Sequence, residues 1–149
     1  MADDSIYPIE LKQVIFTNVC VLAIPDHQPA TEFRKSKASL SNNINIELLN
    51  EELKEYAVSM TSQFNLAKDP MEPYAIDVSC IGIFQVVDPE MSAEEAIKAI
   101  SMTGHSVVYG AIRETVAWIT SRSIFGLFTF GISVLKPQPN PNPKAAAKK

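Results

Sequence analysis

Hydrophobic residues between Leu11 and Val87 fall in four runs with the two-residue period of strands, and after Ser92 the spacing lengthens to that of helices. The first run, Leu11 to Ile24, is apolar on both faces. Strict alternation puts Val14, Phe16, Cys20, Leu22 and Ile24 on one side and Ile15, Val19, Val21 and Ala23 on the other. Such a strand needs cover on both sides, and in a small chain a second subunit is a natural source of it. Pro25 and Pro29 end the run, and the long polar connection Asp26–Asn42 is too long for a hairpin. It predicts a crossover to a distant place in the sheet. Asn43–Leu49 alternates with Ile44, Ile46 and Leu48 inward. After the acidic turn Asn50–Glu55, Tyr56, Val58, Met60, Phe64 and Leu66 share one face of a third strand whose other face is polar. Tyr74–Val87 is a fourth strand, apolar on both sides, with Gly82 marking a bulge or a close backbone approach.

Ser92-Ala93-Glu94-Glu95 has the spacing of a capping box, in which serine and glutamate each satisfy a backbone N–H of the other. It predicts a helix that Gly104 ends, since glycine is the usual residue just past a helix C-terminus. A second helix then starts near Ser106, with Val108, Ile112, Val116 and Ile119 along one stripe. The order β-β-β-β-α-α predicts an α+β fold: a four-stranded antiparallel sheet with a long crossover after strand 1, followed by two helices. The stretch Ser123–Leu135 carries no charge but holds Phe125, Leu127, Phe128 and Phe130. Residues 1–8 read as a flexible leader and 9–135 as one domain. Residues 136–149 alternate proline with asparagine or glutamine and then turn Lys/Ala-rich, so they read as a disordered tail.

Charge sharpens this picture. The net charge of −4 hides four lysines in residues 136–149, leaving nine basic against seventeen acidic residues, a net of −8, over 1–135. An acidic body lacks the positive surface that phosphate backbones require, which argues against nucleic-acid binding. Cys20 and Cys80 lie in apolar strands and read as small buried hydrophobes. No apolar run approaches the ~20 residues that span a bilayer, and no basic-then-apolar leader is present. A cytoplasmic chain without membrane insertion is the expectation. Neither His27 nor His105 has metal-ligand company in sequence, and no nucleophile–base set, Walker sequence or dinucleotide turn stands out. The reading is therefore a binding protein, not an enzyme, with no metal and no cofactor.

Several short motifs resemble one family. Gly82-Ile83-Phe84 at the end of strand 4, Tyr109-Gly-Ala-Ile-Arg-Glu114, Ser121-Arg122 followed by Phe125, and Tyr7…Phe16-Thr17…Pro25 are similar to the SecB protein-export chaperones in order and spacing. The resemblance spreads over residues 7–135. It implies an ATP-independent holdase that binds unfolded polypeptides in hydrophobic grooves and assembles as a homotetramer, a dimer of dimers. In export, such proteins hand clients to the SecA motor. It also implies that Val108, Ile112, Val116 and Ile119 form the oligomer interface and that Asp77 is a motor-protein contact. The family's two acids on strand 1 fall on Val19 and Ala23 here, and its final helix is replaced by the Pro/Lys tail.

A groove for unfolded chains needs apolar walls, because buried apolar area contributes about 25 cal/mol per Å² whatever the client's sequence. The expected walls are Ile24, Phe33, Leu40, Phe125, Leu127, Phe128 and Phe130. Two alternatives stand beside a general export chaperone. One is a dedicated chaperone for a single client such as an antitoxin, which the loss of the strand-1 acids favours. The other is a structural module whose apolar surface is consumed by its own oligomer.

Overall fold

Among the described residues the chain forms four strands and one helix: β1 (Ile9–Ala23), β2 (Leu40–Asn50), β3 (Glu55–Phe64), β4 (Tyr74–Val86) and α1 (Ala93–Thr120). The computed structural model describes residues 7–29, 31 and 36–131. Phe33, the 136–149 tail and all of the leader before Tyr7 lie outside them. The sheet is antiparallel with order β1-β4-β3-β2, so the crossover after β1 carries the chain from one edge to the other, as its length implied.

Helix α1 differs from the expected pair. It runs unbroken for 28 residues through Gly104. The capping box forms as read: the Ser92 N–H donates to Glu95 Oε2 at 3.0 Å, and the Glu95 N–H donates to the Ser92 hydroxyl at 3.3 Å. The Ser92 N–H and the Ser92 hydroxyl, both donating to Glu95 Oε2 at 3.0 Å, hold the Glu95 carboxyl below its usual range. Gly104 is buried where α1 crosses the sheet, and a Cβ there would stand 2.7 Å from Val58 Cγ2. Gly82 meets the helix from the other side, where a Cβ would lie 2.8 Å from Val108 Cγ2. Both glycines therefore serve close packing; Gly104 does not stop a helix.

Ala96, Ile100, Val108, Ile112 and Val116 form the buried stripe of α1. They pack on Tyr56, Val58 and Met60 of β3 and Ile76, Val78, Cys80 and Phe84 of β4. Burial pushes the Cys80 thiol up to about 11 and leaves it an inert hydrophobe. At the far end of the sheet Lys54, in the left-handed conformation (φ 50°), closes the β2–β3 turn. Its ammonium reaches the carbonyls of Asp88, Pro89 and Met91 at 3.3–3.5 Å, tying that turn to the segment that leads into α1.

β1 departs from strict alternation. Its pairing with β4 shifts between Leu11 and Gln13 and again between Phe16 and Asn18, and each shift exchanges the faces of the residues that follow. Opposed residues of an antiparallel pair share a face. Leu11, Val14, Phe16, Val19 and Val21 therefore stand on the helix side, opposite Phe84, Gly82, Cys80, Val78 and Ile76. Ile15, Cys20 and Leu22 stand on the other side. The two apolar faces were legible, but the bulges redistribute their members.

The glycines give a paired expectation. Gly104→Ala gains helix propensity but forces a methyl into Val58, and overpacking wins: a loss of about 1–2 kcal/mol in urea unfolding. Gly110 lies in the same helix, with nothing within 4 Å of the place an added methyl would occupy. Gly110→Ala should therefore gain about 0.5–1 kcal/mol. Equal stability of the two variants would contradict the close-packing role of Gly104.

Candidate functional site

After Thr120 the chain turns through Ser121–Gly126 and lies back along α1. The turn carries the bonds Ser123 N–H to Thr120 O at 2.9 Å and Gly126 N–H to Ser123 O at 3.0 Å, with Gly126 at φ 76°. Residues 127–131 have no regular structure and make no main-chain hydrogen bond to the main chain of another described residue. Side chains hold this strap instead.

Thr120, fully buried on the last turn of α1, accepts the Phe128 N–H at 2.9 Å. The hydroxyl oxygen lies 2.7 Å from Val116 O and 3.2 Å from Phe128 O, and its single proton goes to the shorter bond, to the helix. Arg113 Nε donates to Phe130 O at 3.0 Å, and the Tyr109 hydroxyl donates to Gly131 O at 2.7 Å. From below, the Tyr74 hydroxyl donates to Gly126 O at 2.7 Å. Residues 109, 113 and 120 stand four and seven apart, which puts all three on one stripe of α1. The strap's carbonyls are thus received by a row of polar side chains, and its aromatic rings go into the protein. Phe128 and Phe130, two residues apart, both pack on Phe64 at the end of β3, with centroids 5.1 and 6.3 Å away. Phe128 also meets Tyr74 edge-on at 6.1 Å.

The first crossover residues close the other side. The Ile24 N–H donates to Pro73 O, and the Gln28 N–H donates to Pro70 O. His27 Nδ1 lies 2.8 Å from the Pro70 carbonyl, which can only accept, so Nδ1 carries the proton there. The ring of His27 then meets Phe125 edge-on at 4.9 Å. A surface cavity of about 500 Å³ opens beside this corner, between Lys37–Ser41 and the Asn65–Pro70 turn.

The expected groove walls divide. Ile24 and Phe130 are 3% exposed and belong to the core, so they offer no surface to a client. Leu40, Phe125 and Phe128 are half-buried against that core. Leu127 stands outward at 66% exposure, beside an equally open Ile124. Phe33 lies outside the described residues. The expected interface stripe faces inward. Val108, Ile112 and Val116 are completely buried against the chain's own sheet and have no surface to present to a second subunit. Ile119 is half-buried. The outward apolar residues of α1 are instead Ile97, Met102 and Trp118, the last with the Arg122 guanidinium 4.5 Å over its ring.

Asp77 pairs with Cys20, on the face away from α1, where Gln63 Nε2 approaches its carboxylate at 3.4 Å. Val19 and Ala23 pair with Val78 and Tyr74 on the helix side. Asp77, the expected motor-protein contact, therefore lies on the opposite face from Val19 and Ala23, where the family's strand-1 acids fall.

Tyr109, Arg113 and Thr120 were not singled out as one set by the sequence. Arg113 reads there as a solvated or ion-paired residue; its role depends on a strap that turns back only at Gly126. Among the described residues no group of three or more His, Cys, Asp or Glu could hold a metal ion, and no helix is long and apolar enough to cross a membrane. Burial and an almost parallel stack with Tyr109 place His105 inside the fold, and burial lowers its pKa. Burial raises that of Tyr109, against the opposing pull of the Asn42 hydrogen bond and the Arg113 charge.

No family model matches the chain, and no curated protein matches it by sequence. Its fold does match solved structures. One is the SecB-like chaperone Rv1957 of Mycobacterium tuberculosis in complex with a ChAD peptide from the Rv1956 HigA1 antitoxin. The match has a TM-score of 0.61 at 16% identity and covers 87% of this chain and 93% of that one. A protein of unknown function from Streptococcus agalactiae matches with a TM-score of 0.44 at 12% identity, covering 83% of this chain and 97% of that one. The first match bears out the resemblance read from the motifs at the level of the fold.

His105 sets a pH expectation. Its folded-state pKa is depressed, so as pH falls below the ordinary histidine range of ~6.5 the unfolded chain takes up the proton first, and stability is lost through that window. The urea midpoint should drop between pH 7.5 and 5.5, and His105→Phe, which retains a ring against Tyr109, should flatten that drop. An identical pH dependence in both proteins would contradict it.

Proposed function

We propose that this chain, which shares its fold with a SecB-like chaperone, is an ATP-independent holdase for non-native polypeptides. The observation that carries the reading is the apolar surface left open on a folded domain: Ile124 on the turn and Leu127 on the strap, with half-buried Phe125 and Phe128. Open apolar side chains gathered within five residues of sequence suit an interaction site. The absence of a recognisable catalytic set in the sequence agrees with a binding role.

The second open surface suits the chain itself. β1 is a 15-residue edge strand, and its Leu11, Phe16 and Val19 lie 37–44% exposed on the helix side. A long apolar edge invites pairing. A second copy against β1, with Ile97 and Trp118 of α1 in reach of further contacts, is the proposed route to the dimer of dimers that the family resemblance implies. It replaces the Val108 stripe as the interface.

Within this reading, a dedicated client is favoured over general export. The structurally similar Mycobacterium tuberculosis protein is bound to an antitoxin peptide. The separation of Asp77 from Val19 and Ala23 weakens the case for delivery to SecA. A purely structural oligomer is the remaining alternative, and it binds no unfolded chain.

Chemically denatured citrate synthase, diluted into buffer without nucleotide, should aggregate less in the presence of one assembled oligomer per substrate chain. Undiminished light scattering at that ratio would contradict the holdase reading. In sedimentation, Phe16→Asp/Val19→Asp should shift the wild-type oligomer to smaller species; an unchanged profile would place the interface elsewhere.

A further inference from the structure

The strap is held as a bound peptide would be, with Phe130 reaching into the core cluster. Its backbone is irregular, alternate side chains point in (Phe128, Phe130) and out (Leu127, Thr129), and its carbonyls and one N–H are received by side chains of a helix. A site that reads main-chain groups and takes two rings through nonspecific apolar contact accepts many sequences. The anchors also belong wholly to the receiving surface. Arg113, Tyr109 and Thr120 would meet the same groups on any extended chain laid along α1. What binds the strap is a small set: three side-chain donors or acceptors on α1 and an aromatic floor of Phe64 and Tyr74. An element held without a strand ladder is drawn from the low-stability end of the fold.

We propose that Leu127–Gly131 is a client mimic built into the chain. It occupies in cis the groove between α1 and the end of β3 that an extended client segment with large apolar residues at i and i+2 takes in its place. The inference rests on the holdase reading and gives it a binding mode. It also reverses the role first expected for Phe128 and Phe130: they are the groove's resident occupant, not its walls. The walls are Phe64 and Tyr74 below and the Tyr109–Arg113–Thr120 row above. Displacement makes binding an exchange, in which a client regains the same hydrogen bonds that the strap gives up. The difference in affinity then comes from the client's side chains. Leu127, already exposed, is the outward residue at which the strap can be peeled away.

Amide hydrogen exchange on the wild-type full-length chain tests this directly. Reduced, carboxymethylated α-lactalbumin, a permanently unfolded chain, serves as client. At saturation the Phe128 amide, now released from Thr120, should exchange at least about tenfold faster while β3 and β4 amides keep their protection. In a second arm, Phe128→Ser/Phe130→Ser vacates the groove and leaves the anchors in place. A labelled Gly-Leu-Phe-Thr-Phe-Gly peptide, residues 126–131, should bind this variant at least about tenfold more tightly than wild type by fluorescence anisotropy.

Client bound by the wild type with Phe128 exchange unchanged overturns the inference and leaves the holdase reading standing. Failure of the wild type to bind α-lactalbumin overturns the holdase reading and the exchange with it. Should the double variant not fold, the exchange arm alone decides. Strap exchange that varies with protein concentration and not with client would assign the groove to a second copy and also overturn the proposal.

Discussion

Helix α1 can lie on this sheet only because two Cβ atoms are missing where they meet. Gly82 on β4 and Gly104 on α1 face each other's elements, and a methyl at either would come within 2.8 Å of a neighbouring side chain. Glycine in the middle of a helix costs about 1 kcal/mol relative to alanine. The cost is offset by the packing it permits, with Ile100, Val108, Ile112 and Val116 fully buried against β3 and β4. Everything else in the fold follows from where this close crossing sets the helix.

A single helix seated over β3 and β4 cannot cover both margins of a four-stranded sheet. On the β3 side the chain covers its own margin with the strap, whose Phe128 and Phe130 reach Phe64. On the β1 side no described residue does so, and Leu11, Phe16 and Val19 stay substantially open. The two margins differ in chemistry as well. The strap side presents a row of polar anchors suited to a backbone, while β1 presents an unpaired strand edge suited to another strand. In the proposed reading the first surface takes an extended client and the second another copy of the chain.

Much of the sheet was legible because its period of two is a local property. All four strands, the crossover and the capping box appear close to where the sequence put them. Three features were not. The β1 bulges change no residue type, so strict alternation placed Val19 on the wrong face. Gly104 carries the same local signal whether it ends a helix or admits Val58, and only the sheet distinguishes the two. The row Tyr109–Arg113–Thr120 has a helical spacing that could be read, but its function depends on the reversal at Gly126, which brings the strap back. The sequence marks the uncharged aromatic run as groove wall; that Phe130 belongs to the chain's own core depends on tertiary structure.

In the proposed mechanism these features act together: a glycine-seated helix presents a groove for extended polypeptide, and the chain's own strap keeps it occupied until a client arrives. Intermolecular nuclear Overhauser contacts in a complex with isotope-labelled unfolded client test it most directly. The account predicts contacts from the client's apolar side chains to Phe64, Tyr74 and Tyr109. Contacts confined to Ser79, Ile81 and the rest of the sheet face away from α1 would contradict it.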